Sequence, residues 1–523
     1  MTDRILPYVC LTLVALGFDG TPARADAPKS RPNVLFLAVD DLNDWIGANG
    51  AGGNPQVITP NLDGLVARGV YFTNAHTAVP VCQASRLALM SGLRASTTGH
   101  YANHAIVKDS PLRRATMLPA YLRAHGYKTM GGGKLYHHGT DSRTESPDWD
   151  EVKPVYAISR EWLERGHGYG GRVTAFFQPF PKGGSPIVRQ YGKVSGYSLC
   201  GGPLDREDMP RGIMPDEELA DWAVAKLAEQ HDRPFFLAVG FARPHVPYTA
   251  PRKYFEMYDA DRVEIPHVPD DEFADVPLMG KAMALCMLPG GDHWFVTHKM
   301  GPGYWRELVH AYLACVSFVD DQIGRVLEAL RQSPYAESTI VVLWTDHGQH
   351  LGEKKTWRKM CLWEESTRVP LVWVLPDGRN AGRRCAQAVS LLDVYPTLVE
   401  LVGLAPIDAH EGQSLAPLLD DPDAARDEPA VSTWHYDNHS VRSERWRYIR
   451  YRDGTEELYD HQIDPGEHKN LAGDPPFRQV LAEHRKWLPT TNVNHSDDPL
   501  VDNLGRRVRQ WTENREDVPD WLQ

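Results

Sequence analysis

Four short, nearly unbroken apolar runs in this chain each stop abruptly at polar residues. Residues 33–39 run into Asp40-Asp41, and residues 127–130 pass through Gly131-Gly132-Gly133 to Lys134. Residues 234–241 lead to His245, and residues 339–345 to Asp346-His347. A strand that alternates apolar and polar positions has one wet face. Runs apolar throughout predict strands covered on both faces, as in parallel sheets. Between them, residues 117–125 (with Leu118, Tyr121 and Leu122 on one side), 217–230 and 312–331 carry the helical period. Alternating strands and helices predict an α/β fold with a large, mostly parallel sheet sandwiched by helices. Ligands of such sheets bind beyond the carboxyl ends of the strands. A lone Asp-Asp or Asp-His is usually a turn or a cap. Their recurrence at the same end of successive strands marks a candidate site.

Residues 267–302 are rich in Pro, Gly and Met without a clear period and read as a long surface loop. Beyond about residue 425 the texture changes to short aromatic runs at 431–434, 447–451 and 457–459, separated by turn signals such as Asp453-Gly454. The predicted organisation is a catalytic α/β domain over 31–425 and a smaller C-terminal antiparallel-sheet α+β domain over 426–523. At the other end, Arg4 precedes an apolar stretch from 5 to 18, and Ala23-Arg24-Ala25 offers small residues at a cleavage point. Residues 1–25 therefore read as a secretory signal peptide. Export to a periplasm, the medium or a lysosome-like compartment is expected, with no stable membrane insertion after cleavage.

Composition narrows the function class. At 42% hydrophobic and 24% charged, the 523 residues are those of a folded protein large enough for one big domain and a companion. A net charge of -13 argues against nucleic acid as a partner, so an anionic substrate needs a local basic pocket. The seven cysteines have no metal-ligand spacing, and they leave room for one disulfide but make no framework.

One cysteine stands apart. Cys82 opens the run Cys82-Gln83-Ala84-Ser85-Arg86 after Val79-Pro80-Val81, at a predicted helix N-terminus where unpaired NH groups favour an anion. Alone, it reads equally well as a small buried hydrophobe. The run resembles the maturation signature of type I sulfatases, Cys-x-Pro/Ala-x-Arg, through Cys82, Ala84 and Arg86. It departs from the usual Thr-Gly-Arg continuation at Ser91-Gly92-Leu93. The resemblance covers most of residues 31–475 and is nearest to the iduronate-2-sulfatase-like branch of the alkaline phosphatase superfamily. Gly133-Lys134-Leu135-Tyr136-His137 matches that branch's Gly-Lys-x-x-His, and Arg243-Pro244-His245-Val246-Pro247 its Pro-His-x-Pro. Asp346-His347-Gly348 through Glu353 to Lys359 matches its metal-and-lysine segment.

Ester hydrolysis needs a nucleophile, a cation to hold the anion and an acid for the leaving group. Asp40, Asp41 and Asp346 are hard oxygen donors that would repel one another without a cation; calcium or magnesium suits them. The resemblance implies calcium, with His347 and Cys82, oxidised to Cα-formylglycine by a maturation enzyme, completing the shell. It further implies that Arg86 supports the nucleophile and that Lys134 and Lys359 hold the sulfate. His245 would protonate the leaving oxygen, and His137 would accept the proton that expels sulfate. The expected activity is exo-acting hydrolysis of a sulfated oligosaccharide, with a 2-O-sulfated uronic acid or similar sugar as first choice. Candidate sugar contacts are Tyr101, His104, His138, Gln349, His350, Trp434, His435, Tyr436, Asn438 and His439. Gln349 stands where the iduronate branch carries tryptophan. The rivals are a phosphoester or phosphonate-ester hydrolase on the same scaffold, and a non-catalytic sulfated-glycan-binding protein.

Overall fold

The computed structural model describes residues 31–47, 56–104, 106–137, 148–153, 190, 199–209, 211–285, 290–494, 499–514, 516 and 518–520. The leader expected over 1–25, His138, Cys10 and Cys286 lie outside them. In chain order, the elements that position the site begin with β1 (Asn33–Asp40), α1 (Pro60–Arg68), β2 (Val70–His76), α2 (Cys82–Ser91), α3 (Leu118–Ala124), β3 (Lys128–Gly133) and β4 (Glu151–Val152). There follow β5 (Gly201–Leu204), α4 (Pro215–Ala228), β6 (Phe235–Pro244), β7 (Tyr248–Pro251), α5 (Leu278–Ala284), α6 (Pro302–Gln332), β8 (Thr339–Thr345), β9 (His350–Leu351) and β10 (Trp357–Arg358). The chain closes with β11 (Arg368–Val374), β12 (Arg384–Cys385), β13 (Val389–Ser390), α7 (Val394–Leu401), β14 (Ala430–Thr433), β15 (His439–Arg442), β16 (Trp446–Arg450), β17 (Glu456–Asp460) and α8 (Pro499–Glu513).

The main sheet has the order β12-β2-β11-β8-β1-β6-β3-β4, with β13 also on β2. Strand β1 lies between β6 and β8 and runs parallel to both, Leu35 pairing with Leu237 on one side and Val341 on the other. Its unbroken apolar run follows from that position. Leu35, Leu37 and Val39 pack with α1, α4 and α6, while Val34, Phe36 and Ala38 pack with α2, α3 and α7. The expected helix-covered, mostly parallel sheet is thus present, and its four named runs are β1, β3, β6 and β8.

Among the strands that escaped the sequence reading, two belong to the body of the main sheet. Strand β11 lies between β2 and β8 and is antiparallel to both. It contains Pro370, which cannot donate to a ladder and argues against a central strand; the register with β2 shifts between Val369 and Leu371 to accommodate it. Strand β2 was hidden by the polar Thr73 and Asn74, whose side chains bond Cys385 O and Ala386 O across its edge. The loop expected over 267–302 is corrected in part. Among its described residues are α5 and the helical turns Asp292–Trp294 and Phe295–Lys299, with Phe273, Met279, Met283, Phe295 and Val296 buried. Met279 and Met283, one helical turn apart, carried the period that the flanking Pro and Gly obscured.

At the C-terminal side, β14-β15-β16-β17 form an antiparallel sheet. It is fastened to the larger sheet by buried polar contacts: Ser432 Oγ donates to Thr77 O and Thr433 N to Ala78 O. The five described cysteines are all buried. Among the described residues no helix is long and apolar enough to cross a membrane.

Candidate active site

Asp40 ends β1, and Asp41 follows it in the left-handed region at φ 61°. Consecutive residues of a strand point to opposite faces. The left-handed turn breaks that alternation, and both carboxylates reach the same pocket. The neighbouring strand β8 delivers Asp346 and His347 to the same edge, where Asp41 N donates to Asp346 Oδ1 at 3.2 Å. All four side chains are fully buried.

Cys82 is the first residue of α2, as expected from the turn before it. No side chain caps this helix at Val81; Asn103 Oδ1 accepts from Gln83 N at 2.8 Å. Every residue of α2 is buried, with Leu87, Leu89 and Met90 against the large sheet and Ala84 and Ala88 toward the C-terminal one. Gly92 closes the helix in the left-handed conformation, and Arg94 N donates to Glu411 Oε2 at 2.6 Å. The departure from the usual Thr-Gly-Arg therefore leaves a properly ended helix. One turn after Cys82, Arg86 bonds Asp346 Oδ2 through Nε at 2.9 Å, Asp40 Oδ1 through Nη2 at 3.1 Å, and Lys134 O through Nη1.

The two lysines occupy positions the sequence did not foresee. Lys134 Nζ pairs with Asp40, and Lys359 Nζ bonds both carboxylate oxygens of Asp41 at 2.5 and 2.6 Å. The cause is elementary: three buried carboxylates at one point require counter-charge, and the nearest ammonium groups supply it. Burial would raise Asp40, but Lys134, with His245 and Arg86, holds the carboxyl well below its usual range. Burial pushes Asp346 up to about 7 against the pull of Arg86. His347 sits with Nε2 3.3 Å from Cys82 Sγ, and is raised to about 9 against burial by Asp346 and Cys82. Burial would likewise raise the Cys82 thiol, yet Lys134, Lys359 and His347 hold it well below its ordinary value.

His137 and His245, both partly exposed, lie beside Cys82 and Asp40. His137 hydrogen-bonds Cys82, and among the described residues its buried Nδ1 has no hydrogen-bond partner. His245 Nδ1 donates to Val246 O at 2.6 Å, and its carbonyl accepts from Arg243 Nη1 at 2.7 Å. All ten expected site residues are thus placed at one edge of the sheet. Most of the expected sugar contacts are not available to a sugar. Gln349, His350, Asn438 and His439 are fully buried, and Tyr101, Trp434 and His435 nearly so. His104 and Tyr436 keep partial exposure. Asn43, Tyr248 and Tyr312, which bond around Asp41, were missed; Tyr312 lies in an apolar helical stretch and carries no sequence signal.

Donor atoms of Asp40, Asp41, Cys82 and His347 lie within 4.8 Å of one another, and Asp346 Oδ2 is 3.5 Å from His347 Nε2. Carboxylates dominate this set, which fits a hard divalent cation. A second group, Glu364, His461 and Glu467, is as tightly clustered. There Arg442 and Arg447 already bond Glu364, and Arg447 Nε lies 2.5 Å from Glu467. It is an ion-pair network.

Residues 32–404 match the family model described as Sulfatase, and residues 352–494 that of the N-sulphoglucosamine sulphohydrolase C-terminal region. A sulfatase of Formosa agariphila is 39% identical over 480 residues, covering 88% of this chain and 87% of the relative. Human iduronate 2-sulfatase is 29% identical over 441 residues, covering 76% and 73%. Two solved structures are alike in fold, each at 23% identity. One is a 2-O GAG sulfatase (TM-score 0.62, 92% of this chain and 94% of that one), the other a phosphonate monoester hydrolase of Agrobacterium radiobacter (TM-score 0.67, 87% and 94%).

Proposed function

The chain belongs to the sulfatase family and is a sulfuric ester hydrolase; from that premise we propose that it removes sulfate from sulfated oligosaccharides through a formylglycine nucleophile made from Cys82. The observation that carries the reading is the setting of Cys82. It opens α2 with its thiol against His347 and within the field of Lys134 and Lys359, one helical turn from an Arg86 anchored on two carboxylates.

In this reading a maturation enzyme oxidises Cys82 to the aldehyde, which is hydrated to a geminal diol. Asp40, Asp41, Asp346, His347 and the oxidised Cys82 side chain would hold a calcium ion, favoured over magnesium. Once bound, that cation supplies charge that makes the diol hydroxyl more acidic. Arg86 fixes the carboxylates and the helix that carries the nucleophile. One hydroxyl, its proton released to water, attacks sulfur and the sulfur–oxygen bond to the sugar breaks, while Lys134 and Lys359 bind the ester's free oxygens and spread the charge that develops on them. His245, its Nδ1 proton engaged by Val246 O, presents Nε2 as the acid for the departing sugar oxygen. His137, hydrogen-bonded at position 82, takes the proton of the second hydroxyl, so that sulfate leaves and the aldehyde returns. A diol can eliminate sulfate internally, whereas a serine ester would need water to attack a crowded sulfur.

A 2-O-sulfated uronic acid or similar terminal sugar is the substrate we favour, supported by the likeness to iduronate 2-sulfatase. His104 and Tyr436 are the remaining candidates for sugar contact. The buried Gln349, where that branch carries tryptophan, separates this pocket from it. We further propose that residues 1–25 direct export, and that 31–425 and 426–523 are the catalytic and C-terminal domains.

The test is sulfate release from a panel of sulfated oligosaccharides, comparing protein from a maturation-competent host with Cys82→Ala. Release that needs Cys82, with the peptide around it lighter than the thiol form by the conversion to aldehyde, supports the proposal. An unconverted thiol that still retains sulfated glycan supports a binding protein instead. Converted protein that cleaves matched phosphate or phosphonate esters faster than sulfate esters supports the second reading, favoured by the fold likeness to the phosphonate monoester hydrolase.

A further inference from the structure

Beneath the carboxylates lies a layer of buried polar side chains. Asn43, Tyr248, Tyr312 and Gln349 are at most 1% exposed. Tyr312, on α6, donates its hydroxyl proton to Asp41 O at 2.9 Å, with Asn43 Oδ1 at 3.1 Å sharing it, and accepts from Asn43 N at 3.0 Å. Asn43 Nδ2 then donates to Gln349 O at 3.0 Å, and Gln349 Nε2 to Tyr248 OH at 2.5 Å. The layer therefore joins the turn after β1, which bears Asp40 and Asp41, to the turn after β8, which bears Asp346 and His347. The Tyr312 ring is held edge-on by Tyr248 and Trp45, at centroid distances of 5.4 and 5.8 Å.

Asp41 needs such support. At φ 61° it occupies a region disfavoured for a non-glycine residue, and its buried carbonyl requires a donor. The extended alternative would return its side chain to the opposite face of the strand path, away from Asp40. We propose that Tyr312 is a positioning residue for the cation site: its hydroxyl pins the Asp41 carbonyl, fixes the left-handed turn, and so sets the affinity for calcium. This rests on the calcium reading above.

The experiment titrates calcium chloride into metal-stripped protein, following the melting temperature, for wild type and Tyr312→Phe. Groups that orient metal ligands are worth roughly 10–100-fold in affinity. An apparent Kd for calcium weakened about tenfold or more is the expected result. A purely structural tyrosine would lower the melting temperature of both forms and leave the calcium dependence unchanged, which would overturn the inference. Tyr304→Phe removes another buried hydroxyl of α6, one that donates to Leu199 O and lies outside this layer, and is expected to bind calcium within about threefold of wild type; a tenfold loss there would overturn the inference even if Tyr312→Phe does not fold. A wild type indifferent to calcium overturns the calcium reading together with this inference, while equal affinities in wild type and Tyr312→Phe overturn the inference alone.

Discussion

Arg86 places one buried guanidinium on the carboxylates of β1 and β8 and on the carbonyl that follows β3, so that a single side chain fastens three strand ends. Lysine can offer its charge but not the planar set of donors. Arg86→Lys is therefore expected to destabilise the fold by about 3–5 kcal/mol in urea unfolding, the scale of a broken buried pair, and to lower sulfate release at least 100-fold. At this scale the candidate site residues were more legible in the sequence than their partners. The motif around Cys82 and the polar strand ends were visible because each is contiguous. The bond from Lys359 to Asp41 joins positions 318 residues apart, and no local pattern encodes it. Gln349 and His350 misled for a related reason: polarity suggested a sugar surface, whereas both side chains are buried, Gln349 Nε2 donating to Tyr248 OH and His350 Nδ1 bonding Glu353 O.

Among the elements, β3 and β6 approach so closely that a β-carbon on Gly240 would lie 2.3 Å from Lys134 O. Backbone cannot yield as a side-chain tip can. Gly240→Ala is expected to cost about 1–3 kcal/mol in thermal stability and to displace Lys134, lowering kcat for sulfate release. The network around Glu364 yields a pH expectation. Burial would raise this carboxyl, but Arg442, His461 and Arg447 hold it well below its ordinary 4.5. A depressed carboxyl contributes stability that is present above about pH 4.5 and lost as the pH falls toward its folded value. Glu364→Gln should therefore be less stable than wild type by about 3–5 kcal/mol at pH 7, the difference narrowing below pH 4.5, as read from urea midpoints across pH. Strand identity was legible wherever both faces are covered by apolar side chains. It failed at β11, where Pro370 sits in a central strand at a register shift.

For the molecule as a whole, the C-terminal sheet is bound to the segment that leads into α2. Ser432 and Thr433 bond the carbonyls of Thr77 and Ala78, and Trp434, Tyr451 and Tyr459 share a core with Val79, Val81 and Ala84. A chain ended at residue 425 is expected to be insoluble or to lack a cooperative thermal transition, because that core would face water; expression followed by circular dichroism checks this. The change of texture near residue 425 was legible as turn chemistry, but the docking of that sheet on α2 was not, since it depends on pairings across more than 300 residues. That separation also sets a timetable. Cys82 meets His347 across 265 residues, so its enclosure waits for β8 to settle beside β1. Contacts this remote in sequence form slowly. From its synthesis until that late closure the thiol stays open to solvent, and whatever chemistry is done to it from outside has that interval and no other.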